Sequence, residues 1–358
     1  MPEINNTKEF ITHILSRFFY DVHHYEGADN YDSKRFSHDG VDRSKIFNAM
    51  QHVEMLRILM AHQDSFFKAY QLLEDADSKN LFVDLIRFRL AGHSHVKLPT
   101  NTSTFRDIDK ALDTIDVSTS TLELHSLYGP VQHCEFNFKG ERLKIDSSPP
   151  GVLANFFHSQ YYYERDGIRI CPELGDYVVD AGAFLGDTSV RFRKVVGEQG
   201  FVYSFDPLDS HLRACQLNFE QNNIYSGFKL FNAGLADIVF TPAGNTSHGN
   251  VVDPGFRLAA KNDIFSTMTL DDLVARGEIS RIDFIKMDVE GSELRALHGA
   301  TETLRRFKPK LALSIYHYPT HFFELALFVH SLGLGYRFYL DHYTIHLEES
   351  VLYAISDQ

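Results

Sequence analysis

The sequence predicts an α/β protein: a doubly wound parallel sheet ending in an antiparallel hairpin, preceded by a helical region and a small β region. Three observations carry this. From residue 168 onward, short β-forming runs alternate with helix-patterned segments. The last two runs, 336–340 and 350–354, have only a polar bend between them. The first run, Tyr177-Val-Val-Asp180, ends in an acid and is followed by glycines at 182 and 186. That is the composition of a buried parallel strand turning tightly into a helix.

In order along the chain, Phe10, Ile11, Ile14, Leu15 and Phe18 recur at helical spacing within 8–25. The polar stretch 26–43 reads as a loop and 44–62 as a second helix. Asp64-Ser65 and Asp77-Ser78 are placed to cap two more, with apolar faces at Phe66, Phe67, Tyr70 and at Leu81, Phe82, Leu85, Ile86. Residues 1–99 are thus a helical region. Residues 100–150 are rich in Thr and Ser, with turns at Gly129-Pro130 and Lys139-Gly140. The alternating runs 134–138 and 142–145 predict a small antiparallel sheet, and 147–151 a connector.

Residues 151–358 form the main domain. A helix over 152–165 is expected at its entrance. Strands are expected at 177–181, 201–205, 228–231, 282–287 and 311–316, and helices at 187–196, 208–221, 270–276, 292–306 and 320–332. Residues 237–268, with Gly244, Gly249 and Gly255, read as a long surface loop of the kind that selects a substrate.

Composition narrows the function. At 358 residues and 44% hydrophobic, the chain can bury a large core. A net charge of −13 without a basic block excludes a nucleic-acid partner and disfavours anionic lipid. Three scattered cysteines, Cys134, Cys171 and Cys215, argue for a reducing compartment and against a thiolate metal site. No apolar run reaches the ~20 residues that span a bilayer, and the first residues lack a secretory pattern. A soluble, cytoplasmic protein is expected.

In open α/β sheets ligands bind at the carboxyl ends of the strands. Asp180, Asp206, the pair Asp288/Glu290 and Tyr316-His317 all fall there. The helix start after Gly186, with Asp187-Thr188 as a capping pair, is expected to offer free N–H groups to an anionic part of a ligand. The pattern Asp-x-Gly-x-x-x-Gly is not the Gly-x-Gly-x-x-Gly of dinucleotide proteins. An acid ahead of the glycines suits a ligand with a cationic group, such as S-adenosylmethionine (SAM), and Asp206 suits ribose hydroxyls. Ser292 can cap the following helix, or Glu293 can complement its dipole. His317 can be a general base or a structural histidine. The acids and His317 can also be read as a divalent-metal site, but no His-x-His or His-x-x-x-His ligand pair is taken to support it, and a metal is not favoured.

Six motifs, in order, resemble the FkbM-type SAM-dependent methyltransferases over residues 160–356. They are Val178-Val-Asp-Ala-Gly-Ala-x-x-Gly-Asp-Thr188, Gly200-Phe-Val-Tyr-Ser-Phe-Asp-Pro207, Met268-Thr-Leu-Asp-Asp-Leu273, Ile285-Lys-Met-Asp-Val-Glu-Gly-Ser-Glu293 with Leu297-His-Gly299, Leu313-Ser-Ile-Tyr-His317, and Ser350-Val-Leu-Tyr-Ala354. The resemblance implies a class I, Rossmann-like methyltransferase sheet of seven strands. It implies that Asp180, Gly182, Ala183, Gly186 and Thr188 line the methionine end of SAM. Asp206 and Pro207 would lie at the ribose, and Asn232 and Ala233 near the adenine. Phe184 departs from the Asn or small residue frequent there. The resemblance further implies O-methylation, and the long form with its helical start looks like enzymes of surface-polysaccharide synthesis. The acceptor would be a hydroxyl-bearing small molecule or glycan, with His317 or Asp288 taking its proton and Glu290 orienting it. The competing readings are a nicotinamide oxidoreductase and a non-catalytic SAM-binding scaffold that assembles through its N-terminal helices.

Overall fold

The computed structural model describes residues 4–23, 49–92, 95–126, 129–241 and 265–357. The polar stretch 26–43, the start of the 44–62 helix, and Gly244, Gly249 and Gly255 of the expected loop lie outside them. The centre is a seven-stranded sheet, numbered here in chain order: β1 Tyr177–Ala181, β2 Phe201–Phe205, β3 Phe228–Phe231, β4 Phe284–Met287, β5 Lys310–Ser314, β6 Tyr336–His342 and β7 Ser350–Ser356. The spatial order is β3-β2-β1-β4-β5-β7-β6. The first five strands are parallel, and β7 runs antiparallel to both β5 and β6. The expected terminal hairpin is therefore present. The order reverses between β1 and β4, which creates the crevice where open sheets bind ligands.

Apolar side chains fill both faces of the central strands, as buried parallel strands require. Val179, Ile285 and Leu311 share one core with Phe66, Phe82 and Phe322, while Val178, Phe284 and Ala312 pack on the other face with Phe192 and Tyr353. The N-terminal helices thus continue the core of the sheet. Phe66 meets Phe323 edge-on at 5.0 Å. The amide of Glu74 donates to Phe338 O at 2.9 Å, and Ser78 Oγ accepts from Leu340 N at 2.8 Å. These bonds cover the free edge of β6.

The small antiparallel sheet consists of Asp116–Thr119, Gln132–Phe138 and Glu141–Ser147. Asn218 docks it: its Nδ2 donates to Asp146 O at 3.0 Å and Leu185 O at 2.8 Å. All three cysteines are free and buried.

Three expectations need correction. The segment 292–306 is two helices, Glu293–His298 and Thr301–Phe307. Gly299 between them lies against the backbone of the Ala236 segment, where a Cβ would come within 1.9 Å of Ala236 O. The segment 152–165 is one turn of α-helix, Pro149–Val152, and a π-helical turn, Leu153–Phe157, followed by a short hairpin of Tyr163–Arg165 with Ile168–Ile170. Left-handed Ser159 and Tyr161 end the helix. Finally, the helix Ala76–Ala91 is capped by Asp75, which accepts from Ser78 N at 2.6 Å, and not by Asp77. Asp64 caps nothing and instead accepts from Thr7 Oγ1 at 2.6 Å.

His342 gives the fold a pH signature. It is buried in the β6–β7 hairpin with Nδ1 2.8 Å from Ser350 Oγ. Burial pushes its pKa down to about 3. Arg89 and the His346 side chain act in the same direction, and Glu348 and a His346 backbone contact oppose it. A histidine whose folded pKa is depressed stabilises the fold above its unfolded pKa of about 6.5, and the contribution is lost as pH falls toward the folded value. Urea midpoints should therefore fall more steeply between pH 6.5 and 4 in the wild type than in His342→Gln. Equal slopes would refute the assignment.

Candidate active site

The opening turn rests on a buried ion pair. Asp180 stands opposite Lys286 across the β1–β4 ladder, so two adjacent strands deliver opposite charges to one place. Lys286 Nζ lies 3.1 Å from Asp180 Oδ1 and donates to Gly182 O at 2.6 Å and Ala181 O at 3.2 Å. Thr188 Oγ1 and Ser189 Oγ donate to Asp180 Oδ2 at 2.7 and 2.6 Å. Asp180 is 0% exposed and Lys286 2%. Burial alone would lower the lysine pKa, but Asp180, with Asp288 and Asp187, outweighs it and raises it. Asp180 and Thr188 therefore lie beneath the turn and hold it, with their polar atoms turned toward each other.

The two glycines are set by the protein's own packing. Both have left-handed φ, +79° at Gly182 and +85° at Gly186. A Cβ would meet Asp288 O at 1.7 Å in the first case and Cys215 Sγ at 2.4 Å in the second. Five amides of the turn and helix start have partners within the chain. Gly182 N and Ala183 N donate to Phe205 O, Phe184 N to Asp206 Oδ2, Gly186 N to Ala183 O and Thr188 N to Asp187 Oδ1. Gly186 occupies the helix N-cap position without a side-chain cap, and buried Asp187 fills the first turn.

The exposed rim of the edge is acidic and polar. Gly182, Phe184, Pro207, Asn232, Asp288 and Glu290 reach solvent at least in part, while Ala183, Gly186 and Ala233 lie below. Asp206 ends β2. Its Oδ1 accepts from Leu208 N at 2.9 Å and lies 3.0 Å from His211 Nδ1. Asn232 Nδ2 donates to Pro207 O at 3.2 Å. Phe184 has φ 48° and Glu290 φ 54°, two non-glycine residues held left-handed at the crevice. Asn tolerates that conformation better than Phe, so Phe184 is the strained choice at this turn.

Across the crevice, Asp288, Glu290 and His317 come together as the sequence predicted. Asp288 accepts from Tyr161 Oη at 2.8 Å and Tyr316 Oη at 3.0 Å. His317 Nε2 lies 3.5 Å from both Asp288 Oδ1 and Glu290 Oε2. Burial pushes the Asp288 carboxyl up, but His317, Lys286 and the two tyrosine hydroxyls outweigh it, so the carboxylate is held ionised. Glu290 goes the other way: burial and then Asp288 raise its pKa, although its side chain is 55% exposed. Burial lowers the His317 pKa, and Glu293, Asp288 and Glu290 together reverse this and raise it to about 9. Behind His317, the buried Glu293 carboxylate accepts from Val289 N at 3.0 Å. His317 Nδ1 is 2.9 Å from Glu293 Oε1, and His321 Nδ1 is 3.3 Å from Oε2.

Sequence reading missed Lys286, Tyr161, His321 and Arg89. Lys286 interrupts an apolar strand, which was a usable signal for a buried ion pair. Tyr161 is carried by a turn that was expected to be helix. His317-x-x-x-His321 stands at ligand spacing in the sequence and corrects the expectation that no such pair supports a metal; it crosses a turn into the helix His321–Ser331. Arg89 donates to Tyr316 O at 2.8 Å from the N-terminal region, a contact no local pattern predicts.

Residues 180–338 match the sequence profile of the methyltransferase FkbM domain. In fold, the chain is similar to the crystal structure of methyltransferase FkbM from Methylobacillus flagellatus, with a TM-score of 0.53 and 20% identity, over 83% of this chain and 60% of that one. Weaker likenesses include fibrillarin from Aeropyrum pernix with bound S-adenosyl-L-methionine (TM-score 0.35, 11% identity, 67% of this chain and 99% of that one). A SAM-dependent methyltransferase from Aquifex aeolicus is another (0.31, 15%, 52% and 86%). No curated protein matches the chain significantly. The sheet order and terminal hairpin are those of a class I SAM-methyltransferase fold. The chain spans about 60% of the length of the Methylobacillus protein.

The ion pair yields a stability prediction. Lys286→Met leaves Asp180 buried without its partner and should cost about 3–5 kcal/mol in urea unfolding. Adding Asp180→Asn should recover most of that loss. A double variant as unstable as the single one would contradict the hub.

Proposed function

We propose that the chain transfers a methyl group from SAM to a hydroxyl oxygen, on a sugar of a polysaccharide or other glycoconjugate. The observation that carries this reading is the acidic strand-end crevice, with Asp206 on one side and Asp288, Glu290 and His317 on the other. The donor set suits a cationic cofactor. Acids crowd the rim, the buried Lys286 is committed to the turn, and buried Asp187 places a carboxylate in the first turn of the helix where a pyrophosphate would sit. The same facts count against the nicotinamide reading. Gly182, Phe184, Asp206, Pro207 and Asn232 would hold SAM, with Asp180, Ala183, Gly186, Thr188 and Ala233 supporting them from below. The sugar acceptor rests on the FkbM resemblance. No described helix is long and apolar enough to cross a membrane.

SAM supplies a methyl group already activated as a sulfonium. The chain's part is to align the acceptor oxygen, exclude water and remove the hydroxyl proton. Asp288, fixed by two tyrosines and held ionised, orients the acceptor. Glu290 has the raised pKa and the exposed carboxylate, so the proton falls to it, with His317 completing the cluster.

Binding and turnover test this separately. Calorimetry should give SAM binding that Asp206→Ala weakens about tenfold or more, the loss of one or two hydrogen bonds. With labelled SAM and a panel of nucleotide sugars and oligosaccharides, Glu290→Gln and Asp288→Asn should each lower turnover about 100-fold or more under saturating conditions. Binding of NAD without SAM would overturn the reading. SAM binding with no transfer to any hydroxyl acceptor would favour the non-catalytic scaffold.

A further inference from the structure

We propose that Glu293, His317 and His321 form a binding site for one divalent transition-metal ion, directly behind the acidic cluster. Two imidazole nitrogens and a carboxylate, each buried or nearly so, bring ligand atoms within 4.8 Å of one another. His321 Nδ1 lies 3.3 Å from Glu293 Oε2, and His317 Nδ1 lies 2.9 Å from Oε1 of the same carboxylate. Ligand atoms held about 2.0–2.2 Å from a common ion stand about 2.9–3.4 Å apart in octahedral or tetrahedral arrangements.

Alignment separates this from an ordinary hydrogen-bonded cluster. Glu293 Oε2, His317 Nδ1 and His321 Nδ1 are buried, and none has a hydrogen-bond partner among the described residues, despite the short distances between them. Both rings thus crowd one buried carboxylate, with ligand atoms close enough to share an ion. Buried polar atoms left unpaired are destabilising, and one cation bound to them would satisfy all three.

The scaffold already holds the ligands. Val289 N and Gly291 N fix Glu293 Oε1 at 3.0 and 3.4 Å. The His317 ring lies against Tyr316, and the His321 ring lies edge-on to Tyr318 at 5.1 Å. Two nitrogens and one oxygen select zinc, manganese, iron or cobalt over magnesium or calcium, which take oxygen ligands. Arg89, bound to Tyr316 O, is the nearby cation that opposes a metal. Asp288 and Glu290, near His317 Nε2, add the compensating negative charge. Metal on Nδ1 would leave Nε2 as the ring's N–H donor toward these acids, consistent with Glu290 as the proton acceptor.

The test uses the full chain without SAM, so that its failure leaves the methyl-transfer reading standing. After equilibration with zinc or cobalt(II) and gel filtration, elemental analysis should find about one equivalent of metal. The cobalt form should show the visible absorption of a low-coordinate nitrogen–oxygen site. Glu293→Gln and His321→Asn should each lower metal affinity about 100-fold or more. Zinc should raise the thermal midpoint of the wild type but not of His321→Asn, which guards against a variant that fails to fold. Metal content at background would overturn the site, as would binding retained in both variants. An unmetallated His317 carrying a proton among the three carboxylates would then be the occupant.

Discussion

A carboxylate and an ammonium 3.1 Å apart, closed off from water at the centre of the sheet, fix the geometry of the whole C-terminal edge. Asp180 and Lys286 are neighbours across a parallel ladder, so the pair is set by register. From that pair, hydroxyls of the next helix reach down to Asp180, and the lysine reaches up to the carbonyls of the turn. Strand, turn, helix and the neighbouring strand are thereby locked in one arrangement. Breaking half of such a pair is costly because the remaining charge has no solvent to turn to.

The crevice above this hub divides its work between two sides. On one side, Asp206 closes the turn by accepting from Phe184 N, and Asn232 stands exposed beside it. On the other, three carboxylates surround one imidazole in environments that push their proton affinities apart. Tyr161 and Tyr316 keep Asp288 an acceptor, while crowding raises Glu290. Such separation among adjacent acids is how a site assigns one group to hold and another to take a proton. The N-terminal helices contribute directly, since Arg89 binds the carbonyl of Tyr316 and the same helix seals β6.

Much of this was legible in the sequence, and for identifiable reasons. The strands of the sheet are short apolar runs bounded by turn residues, and their ends carry the acids, so Asp206, Asp288, Glu290 and His317 could be placed from pattern alone. What failed were features decided by non-local packing. Gly299 splits a periodic helix because another backbone occupies the space of its Cβ. Tyr161 becomes a site residue only because left-handed residues end the preceding helix. The partner of Asp180 could not be read because a sequence shows a strand end but not what lies across the ladder. His321 is different, since it stands at ligand spacing from His317 in the sequence itself.

The central claim is that the edge from Gly182 to His317 is one cofactor-and-acceptor crevice. A crystal structure of the full chain grown with S-adenosylhomocysteine tests it most directly. The account predicts the ligand across the turn after β1, its ribose at Asp206 and its sulfur facing the cluster of Asp288, Glu290 and His317. Ligand bound elsewhere on the molecule, or its sulfur turned away from those three residues, would contradict it.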